Sequence, residues 1–302
     1  MLVNTKKMFE DARKNNYAIG AYNIFNLETI KAVANAMRKT NIPVIFQASE
    51  SAINYAGADN IVAMIKNETK DIKTPFAIHL DHGKDIKIIE ECLKAGFSSI
   101  MIDASTLPYA ENVEKTKKVI KMAKKFGASV EAEIGELKGV EDSISSNVSH
   151  HTNPQEALQF INGTKVDSLA VSIGTAHGVN KGSSKLNIRF DILKELENIL
   201  PKNYPLVCHG ASSVNKTLQD FYTSSGGVLL NPQGTSLEDL HKMATDTPIC
   251  KINIDTDLRL VFTGTLRQSF NQNIAYNPRR HLKPAMDAMT EYVSYLSSKI
   301  FK

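Results

Sequence analysis

The amino-acid sequence predicts a (β/α)8 barrel. Short strand-like runs alternate with helix-like runs eight times along the 302 residues, and no low-complexity linker or shift in composition separates them. Most of the strand-like runs are β-branched and almost continuously apolar, which is typical of parallel strands covered on both faces. We therefore expect residues 1–302 to form a single barrel domain with additional C-terminal helices, an ordinary length for this fold. An open, doubly wound sheet is the weaker alternative.

Each of the eight units starts with a recognisable strand candidate. In chain order these are AIGAYNIF (18–25), VIFQAS (44–49), FAIHLD (76–81), SSIMIDAS (98–105), SVEAEIG (129–135), SLAVSIG (168–174), PLVCHG (205–210) and CKINID (250–255). Residues 86–95 and 111–126 lie between strands and have the pattern of amphipathic helices with one buried stripe. The many lysines of residues 111–126 fit the solvated face of such a helix.

Polar side chains gather where these strands should end. In chain order they are Asn23, Gln47, Ser49, Asp81, His82, Asp103, Glu131, Glu133, His177, His209, Asn253 and Asp255. Barrel enzymes carry their chemistry on this edge of the sheet. A lone histidine is more often a satisfied core residue, and capping of the next helix explains a residue such as Asp85. Three strand-end histidines instead suggest a zinc ion with one open coordination position, as a catalytic zinc site requires.

Glycines follow two of the histidines. Gly178 and Gly182 flank Lys181, and Gly210 stands just before Ser212. Backbone amides at such turns and at helix starts, such as the one after Asp255-Thr256, can bind a phosphate. Alone, the Gly-Ala-Ser-Ser turn is ordinary. Residues 139–153 are polar and lack clear periodicity, so they form either a mobile lid with an acid/base group or a long surface loop.

The composition narrows the class of protein. Thirty-six basic against 32 acidic residues give a formal charge of +4, which is too balanced for nucleic-acid binding but suits phosphorylated small molecules. Three cysteines without a CxxC spacing argue against a disulfide framework or a zinc knuckle. We find no signal-peptide pattern and no apolar run of roughly 20 residues. We therefore expect a cytoplasmic protein without a membrane partner.

The chain resembles the class II, zinc-dependent fructose-1,6-bisphosphate aldolases and their tagatose-bisphosphate relatives. The matching segments follow the family's order and spacing: HLDHG, MIDAS, VEAEIG, GVEDSIS, SIGTAHG, CHGASS, KINIDTDLR and NPRRHLKPAM. The resemblance implies reversible cleavage of fructose 1,6-bisphosphate to dihydroxyacetone phosphate and glyceraldehyde 3-phosphate by zinc-stabilised enediolate chemistry. It also implies a homodimer or homotetramer, and a Na⁺ or K⁺ ion near the phosphate.

The same resemblance implies roles for individual residues. His82, His177 and His209 would bind Zn²⁺, with Glu133 and Asp103 as supporting or alternate ligands. Asp81 would be the acid/base near the aldehyde oxygen, and Glu141 would transfer a proton at the nascent carbanion. The expected substrate-binding residues are Asn23, Ser49, Gly178, Lys181, Gly210, Ser212, Asn253, Asp255, Thr256 and, from a neighbouring subunit, Arg279.

Several alternatives remain at this stage. Fructose-type enzymes resemble this chain in carrying Asp at position 255, where tagatose-type enzymes usually carry Ala, and this favours fructose 1,6-bisphosphate over the tagatose isomer. Asn277 stands where the family often has Asp, so Arg280 is as able as Arg279 to reach an anion. A Schiff-base aldolase using Lys251 leaves three histidines unexplained. A non-enzymatic, metal-binding surface protein has no dedicated feature in the sequence.

Overall fold

The computed structural model describes residues 1–302 except 137, 142–143, 147–149 and 180–185, and except the side chains of 138–141 and 144–146. Its strands are β1 (Ile19–Asn23), β2 (Val44–Ser49), β3 (Phe76–Gly83), β4 (Ser99–Ile102), β5 (Ser129–Ile134), β6 (Lys138–Glu141), β7 (Ile144–Ser146), β8 (Ser168–Val171), β9 (Ala176–His177), β10 (Leu206–Cys208) and β11 (Ile249–Ile254).

Eight of these strands close into a barrel in the order β1-β11-β10-β8-β5-β4-β3-β2. All of the neighbouring pairs are parallel, and β1 closes the ring by pairing with both β2 and β11. Each of the eight predicted runs overlaps one barrel strand. The predicted (β/α)8 barrel is therefore confirmed, and the open sheet is wrong.

Helices cover the outside of the barrel and, in the case of the first helix, its amino end. They are α1 (Thr5–Asn15), α2 (Leu27–Thr40), α3 (Glu50–Ala56), α4 (Ala58–Glu68), α5 (Ile86–Ala95), α6 (Tyr109–Lys124), α7 (Pro154–Thr164), α8 (Phe190–Ile199), α9 (Lys216–Ser224), α10 (Leu237–Asp246), α11 (Thr256–Gln272) and α12 (Arg279–Tyr295), followed by a π-helix (Leu296–Ile300). Helix α12 and the π-helix are the additional C-terminal helices, and α12 packs against α2 and α11. Asp85 caps α5 by accepting a hydrogen bond from Lys87 N at 2.8 Å, as expected.

The strands place alternate side chains on opposite faces of the barrel wall. In β3, Phe76, Ile78 and Leu80 belong to the large apolar cluster beneath the helices. Ala77, one step out of phase, belongs to a second cluster inside the amino end of the barrel, where Met8 and other side chains of α1 pack. Helix α1 therefore fills that end of the barrel.

Cys92, Cys208 and Cys250 are free and buried. Among the residues that the structure describes, no helix has the length and apolar character needed to cross a membrane.

Candidate active site

Three histidines meet at the carboxyl end of the barrel. His82 lies near the end of β3, His177 ends β9, and His209 follows β10 directly. Each offers one ring nitrogen, and these atoms all lie within 4.8 Å of one another. The closest pair is Nδ1 of His209 and Nε2 of His82, at 2.9 Å. All three side chains are buried.

Unusual backbone conformations bring these rings together. His82 has a φ of +49°, in the left-handed region that few non-glycine residues adopt. Gly210 has a φ of +62°, and a Cβ atom there would lie 2.7 Å from the backbone of Ala176. Glycine therefore allows the turn after His209 to approach the strand that carries His177.

Two carboxylates lie beside His82. Oδ2 of Asp103 is 3.0 Å from Nδ1 of His82, and its Oδ1 accepts a hydrogen bond from the Ser105 hydroxyl at 2.7 Å. Burial alone raises the pKa of Asp103, but the hydrogen bond and charge of His82 hold it well below its ordinary value. Burial, together with the charge of Asp103, raises the pKa of Glu133 to about 8. His82, Asp103 and Glu133 form a second group of three possible ligands within 4.8 Å.

Nearby charges shift the pKa values of His82 and His209 in opposite directions. Burial opposes a charge on His82, yet the negative charges of Asp81 and Asp103 and the hydrogen bond with Asp103 raise its pKa to about 10. Burial and the positive charge of His82 lower the pKa of His209 well below its ordinary value. These opposite shifts favour a hydrogen bond in which Nε2 of His82 is the donor and Nδ1 of His209 the acceptor.

Asp81 is held by amides from three neighbouring strands. Its Oδ2 accepts hydrogen bonds from Asn23 Nδ2 at 3.2 Å and Gln47 Nε2 at 3.3 Å, and its Oδ1 accepts one from Asn253 Nδ2 at 3.2 Å. Asn253 Nδ2 also lies 3.1 Å from Nδ1 of His209. The carboxylate is thus fixed beside the histidines, with only 2% of the residue exposed.

A cavity above the histidines collects most of the sequence-predicted site. It is lined by Asp81, His82, Ala176, His177, Gly178, Gly210, Ser212, Asn253, Asp255 and Thr256. The loops after β10 and β11 are tied together here, because Asp255 N donates to Ser212 Oγ at 3.2 Å. Nitrogen ligands, a fixed carboxylate and a nearby helix start can support metal-assisted chemistry on a small anionic molecule.

Comparison with known proteins agrees with a site for metal-assisted chemistry. Residues 3–300 match the family model for class-II fructose-bisphosphate aldolase. The chain belongs to that family. It is 39% identical over 297 residues to a fructose-bisphosphate aldolase of Helicobacter pylori, covering 97% of this chain and 96% of the relative. It is 38% identical over 319 residues to one of Treponema pallidum, covering 99% of this chain and 96% of the relative.

Solved structures give the same result for the fold. The YdjI aldolase of Escherichia coli K12 matches with a TM-score of 0.78 and 27% identity over 100% of both chains. A fructose-bisphosphate aldolase of Campylobacter jejuni matches with a TM-score of 0.77 at 22% identity, covering 99% of this chain and 95% of that one. The resemblance seen in the sequence is confirmed. The protein is a lyase of a metal-dependent family, and its histidine cluster could bind a metal.

Asn23 and Ser49 line a second cavity next to the first. Its wall also contains Tyr55, Phe262 and Arg259. Arg259 Nε donates to Oδ1 of Asp255 at 2.7 Å, so the two cavities share an ion pair. Two cavities therefore adjoin at this ion pair, and the wall of the second is mostly apolar.

Two of the other predicted residues fall outside what the structure describes, and a third lies at the surface. Lys181 is outside the described residues, and so is the side chain of Glu141. Arg279 is exposed at the start of α12, where its Nε donates to Oδ1 of Asn277 at 3.3 Å. Asn277, the departure from the family pattern, thus supplies Arg279 with a neutral acceptor.

The polar segment 139–153 contains two strands that the sequence did not predict. β6 and β7 form an antiparallel pair, and β6 also pairs in parallel with β9, with Gly139 opposite His177. Backbone hydrogen bonds to β9 hold this short hairpin without an apolar pattern of its own. The main chain of Glu141 is therefore two residues from a direct partner of His177.

Sequence reasoning missed the residues beneath the cluster. Glu131 was noted only as a strand-end carboxylate, yet its Oε1 lies 2.7 Å from Nε2 of His209. Lys251 is fully buried, with its Nζ 2.9 Å from Oε2 of Glu131. An available signal was the two-residue spacing of Glu131 from Glu133 and of Lys251 from Asn253, which puts each pair on the same strand face. A buried, ion-paired ammonium also argues against Lys251 as a Schiff-base nucleophile.

Proposed function

We propose that the protein cleaves fructose 1,6-bisphosphate reversibly to dihydroxyacetone phosphate and glyceraldehyde 3-phosphate, with zinc held by His82, His177 and His209. The observation that carries the proposal is the convergence of three imidazole nitrogens within 4.8 Å, beside the carboxylate of Asp81. Family membership supports the reaction, and the second cavity, lined by Asn23 and Ser49, adjoins the histidine site through the ion pair of Arg259 with Asp255.

The residues present fit a zinc ion. Zinc is commonly bound by three neutral imidazoles in catalytic sites, with the fourth position left for water or substrate. The outward nitrogens of His82 and His209 are already hydrogen-bonded to Asp103 and Glu131, so their other nitrogens face each other. When bound, zinc would polarise the substrate carbonyl and stabilise negative charge on its oxygen. We propose that Asp103 orients His82 by hydrogen bonding, and that Glu133 is an alternate ligand of the metal.

Asp81 is the proposed acid/base at C4. As the C3–C4 bond breaks, its carboxylate accepts the proton of the C4 hydroxyl, C4 becomes an aldehyde, and the bonding electron pair stays on C3. In the reverse direction Asp81 returns that proton. The three amide donors keep the carboxylate oriented for both steps. We propose Glu141 as the group that moves the proton at C3, close to His177.

Two buried amide oxygens support a polyhydroxylated substrate. Gln47 Oε1 and Asn253 Oδ1 are buried and have no hydrogen-bond donor in the described part of the chain. The nitrogens of the same two amides donate to Asp81. A buried acceptor without a donor is costly, and substrate hydroxyl groups can supply the missing donors. We therefore propose that the Asn253 side chain contacts Asp81 and the sugar rather than the phosphate.

The phosphate of the dihydroxyacetone half fits the other side of the cavity. Gly178, Gly210 and Ser212 supply loop amides there, and Thr256 opens the 17-residue helix α11, whose N-terminus favours an anion. Lys181 and a Na⁺ or K⁺ ion complete the proposed phosphate site.

The second phosphate is assigned to the cavity lined by Asn23 and Ser49. We propose that Arg279 of a neighbouring subunit reaches it in a homodimer or homotetramer. The exposure of Arg279 and its neutral acceptor Asn277 support this assignment over a role within its own chain.

Asp255 supports fructose 1,6-bisphosphate over its tagatose isomer. Its carboxylate is 5% exposed at the wall of the cavity, and the ion pair with Arg259 fixes its direction. A fixed acceptor can distinguish the two configurations of a substrate hydroxyl, since the wrong configuration leaves a buried polar group unpaired.

Side-by-side assays test the proposal. Zinc-loaded protein should prefer fructose over tagatose bisphosphate, lose activity to a chelator and regain it with zinc, and resist borohydride in the presence of dihydroxyacetone phosphate. Asp255→Ala should narrow the fructose preference by roughly tenfold or more, whereas Asp220→Ala on the outer helix α9 should not. Chelator-resistant cleavage would refute the metal role, and an unchanged preference in Asp255→Ala would refute the substrate assignment.

A further inference from the structure

A charged chain of three buried residues lies beneath the proposed zinc site. Lys251 Nζ is 2.9 Å from Glu131 Oε2, and Glu131 Oε1 is 2.7 Å from His209 Nε2. None of these side chains is more than 1% exposed. We call this the Lys251–Glu131–His209 chain. It reaches from the barrel interior to a proposed metal ligand, and neither proton transfer nor substrate binding uses it.

The stability of the fold alone does not explain a buried ion pair between Lys251 and Glu131. Removing an ammonium and a carboxylate from water costs several kcal/mol each, and well-packed apolar residues of similar volume are often as stabilising as a buried ion pair. The barrel interior has the apolar surroundings to accept such a replacement, because Met101, Ala170 and Val207 already form an apolar cluster on other strands. A buried pair is therefore better explained by what it does to a neighbour.

The donors and acceptors available to each group fix the direction of every hydrogen bond in the Lys251–Glu131–His209 chain. Lysine has only donors, so Nε2 of His79, at 3.2 Å from Lys251 Nζ, must accept. His79 then carries its proton on Nδ1 and donates to Ser99 Oγ at 2.8 Å. Glu131 accepts from Lys251 through one oxygen, and its other oxygen accepts the N–H of His209 Nε2. The lone pair of His209 is left on Nδ1, the atom that faces His82.

We propose that Glu131 and Lys251 are positioning residues that hold His209 as its Nε2–H tautomer, with Nδ1 aimed at the metal. Glu131 supplies the acceptor, and Lys251 fixes the rotamer of Glu131 and balances its charge. This inference rests on the proposed role of His209 as a ligand. It gives His209 a deep, charge-balanced support, in contrast to Asp103 at the rim, which supports His82 and also binds Ser105.

Two double variants separate positioning from packing. The first, Glu131→Met with Lys251→Met, removes both charges at similar volume, so the barrel keeps its core. We expect its zinc dissociation constant, measured by competition with a chelator, to rise about 10- to 100-fold, the usual effect of losing such a supporting partner. The second, Glu131→Gln with Lys251→Met, keeps a neutral acceptor for His209 and should recover part of the affinity. The control is Tyr204→Phe. Tyr204 lies just before β10, and the variant loses only the hydroxyl that donates to Val166 O, so it should bind zinc as the unmodified protein does.

A measurement on the unmodified protein keeps the inference testable if the first double variant does not fold. With ¹⁵N-labelled histidine and bound zinc, the His209 resonances, assigned by comparison with His209→Ala, should show a proton on Nε2 and metal on Nδ1. A proton on Nδ1 overturns the inference, as does unchanged zinc affinity in the folded first double variant. If His209→Ala itself keeps its zinc, the proposed metal site is wrong, and the inference falls with it for that separate reason.

Discussion

The two faces of the barrel wall differ in chemistry although the same strands build both. In β3 the outward residues Ile78 and Leu80 pack beneath the helices, while the inward residues His79 and Asp81 make polar contacts. β11 repeats the pattern, with Ile252 outward and Lys251 and Asn253 inward. Because neighbouring side chains point to opposite faces, adjacent residues can serve different ends. Stability and chemistry should therefore be separable by substitutions one residue apart.

The largest expected effect lies on the inner face, at the three histidines. His82→Ala, His177→Ala and His209→Ala should each weaken zinc binding by orders of magnitude and abolish cleavage, because a three-ligand site loses a third of its ligands. Circular dichroism should show a folded barrel in all three variants, since the helix-facing core is untouched. Metal analysis of the purified proteins measures the loss.

The matched control for the histidine variants is on the outside. His241→Ala, on α10, removes an imidazole whose Nδ1 lies 2.9 Å from Ile300 O, and it should keep full zinc content. Full occupancy in any of the three inner-face variants would remove that histidine from the metal site.

The next largest effect separates Asp81 from the histidines beside it. Asp81→Ala should keep its zinc and lose roughly two to four decades in kcat, the usual contribution of a general acid–base group. Steady-state assays on metal-analysed protein measure it. Asp85→Ala, four residues further along, should instead cost about 1 kcal/mol of stability through loss of the α5 cap and leave kcat unchanged. A loss of less than tenfold in kcat for Asp81→Ala would make Asp81 a structural neighbour.

Leu80, next to Asp81, tests the outer face. Leu80→Ala removes a fully buried side chain and should lower the free energy of unfolding by about 2–5 kcal/mol. Urea titration of the zinc-loaded protein measures this loss. Zinc affinity and kcat of the folded variant should stay unchanged, because the side chain points away from the site. A drop in zinc affinity as large as that of a histidine variant would show that the two faces are not independent.

The smallest effect is a pH dependence of zinc binding. In the metal-free protein, Asp81 and Asp103 outweigh the burial of His82 and raise its pKa to about 10, so a proton occupies the position between His82 and His209. Zinc must displace that proton, so affinity should rise roughly tenfold per pH unit from pH 7 to 9 and level off above pH 10. Calorimetry in buffers of different ionisation enthalpy should count about one proton released per zinc. A pH-independent affinity would show that the site is neutral before metal binds.

The barrel strands were predictable because each is buried on its outer face and short enough to be read as one apolar run. VIFQAS coincides with β2, residue for residue. The meeting of His82 and His209 followed from the architecture, since parallel strands deliver their ends to one edge. His177 reaches the same edge on β9, a short strand that follows β8 and lies outside the barrel sheet.

Other parts could not be read from the sequence. The β6–β7 hairpin is held by backbone pairing with β9, which leaves no side-chain pattern. Lys251 and Glu131 are 120 residues apart and become partners only when the barrel closes. Each alone reads as a polar interruption in an apolar strand. The ion pair of Arg259 with Asp255 was equally hidden, because helix-surface charges usually face water.

Helix α1 closes the amino end of the barrel. Its residues Met8, Phe9 and Ala12 pack against Ile19 and Ile45 inside the amino end. Small molecules must therefore arrive and depart through the carboxyl mouth, where the histidines lie. Substrate and products therefore share one entrance, so a product that stays bound in the site prevents the next substrate molecule from entering.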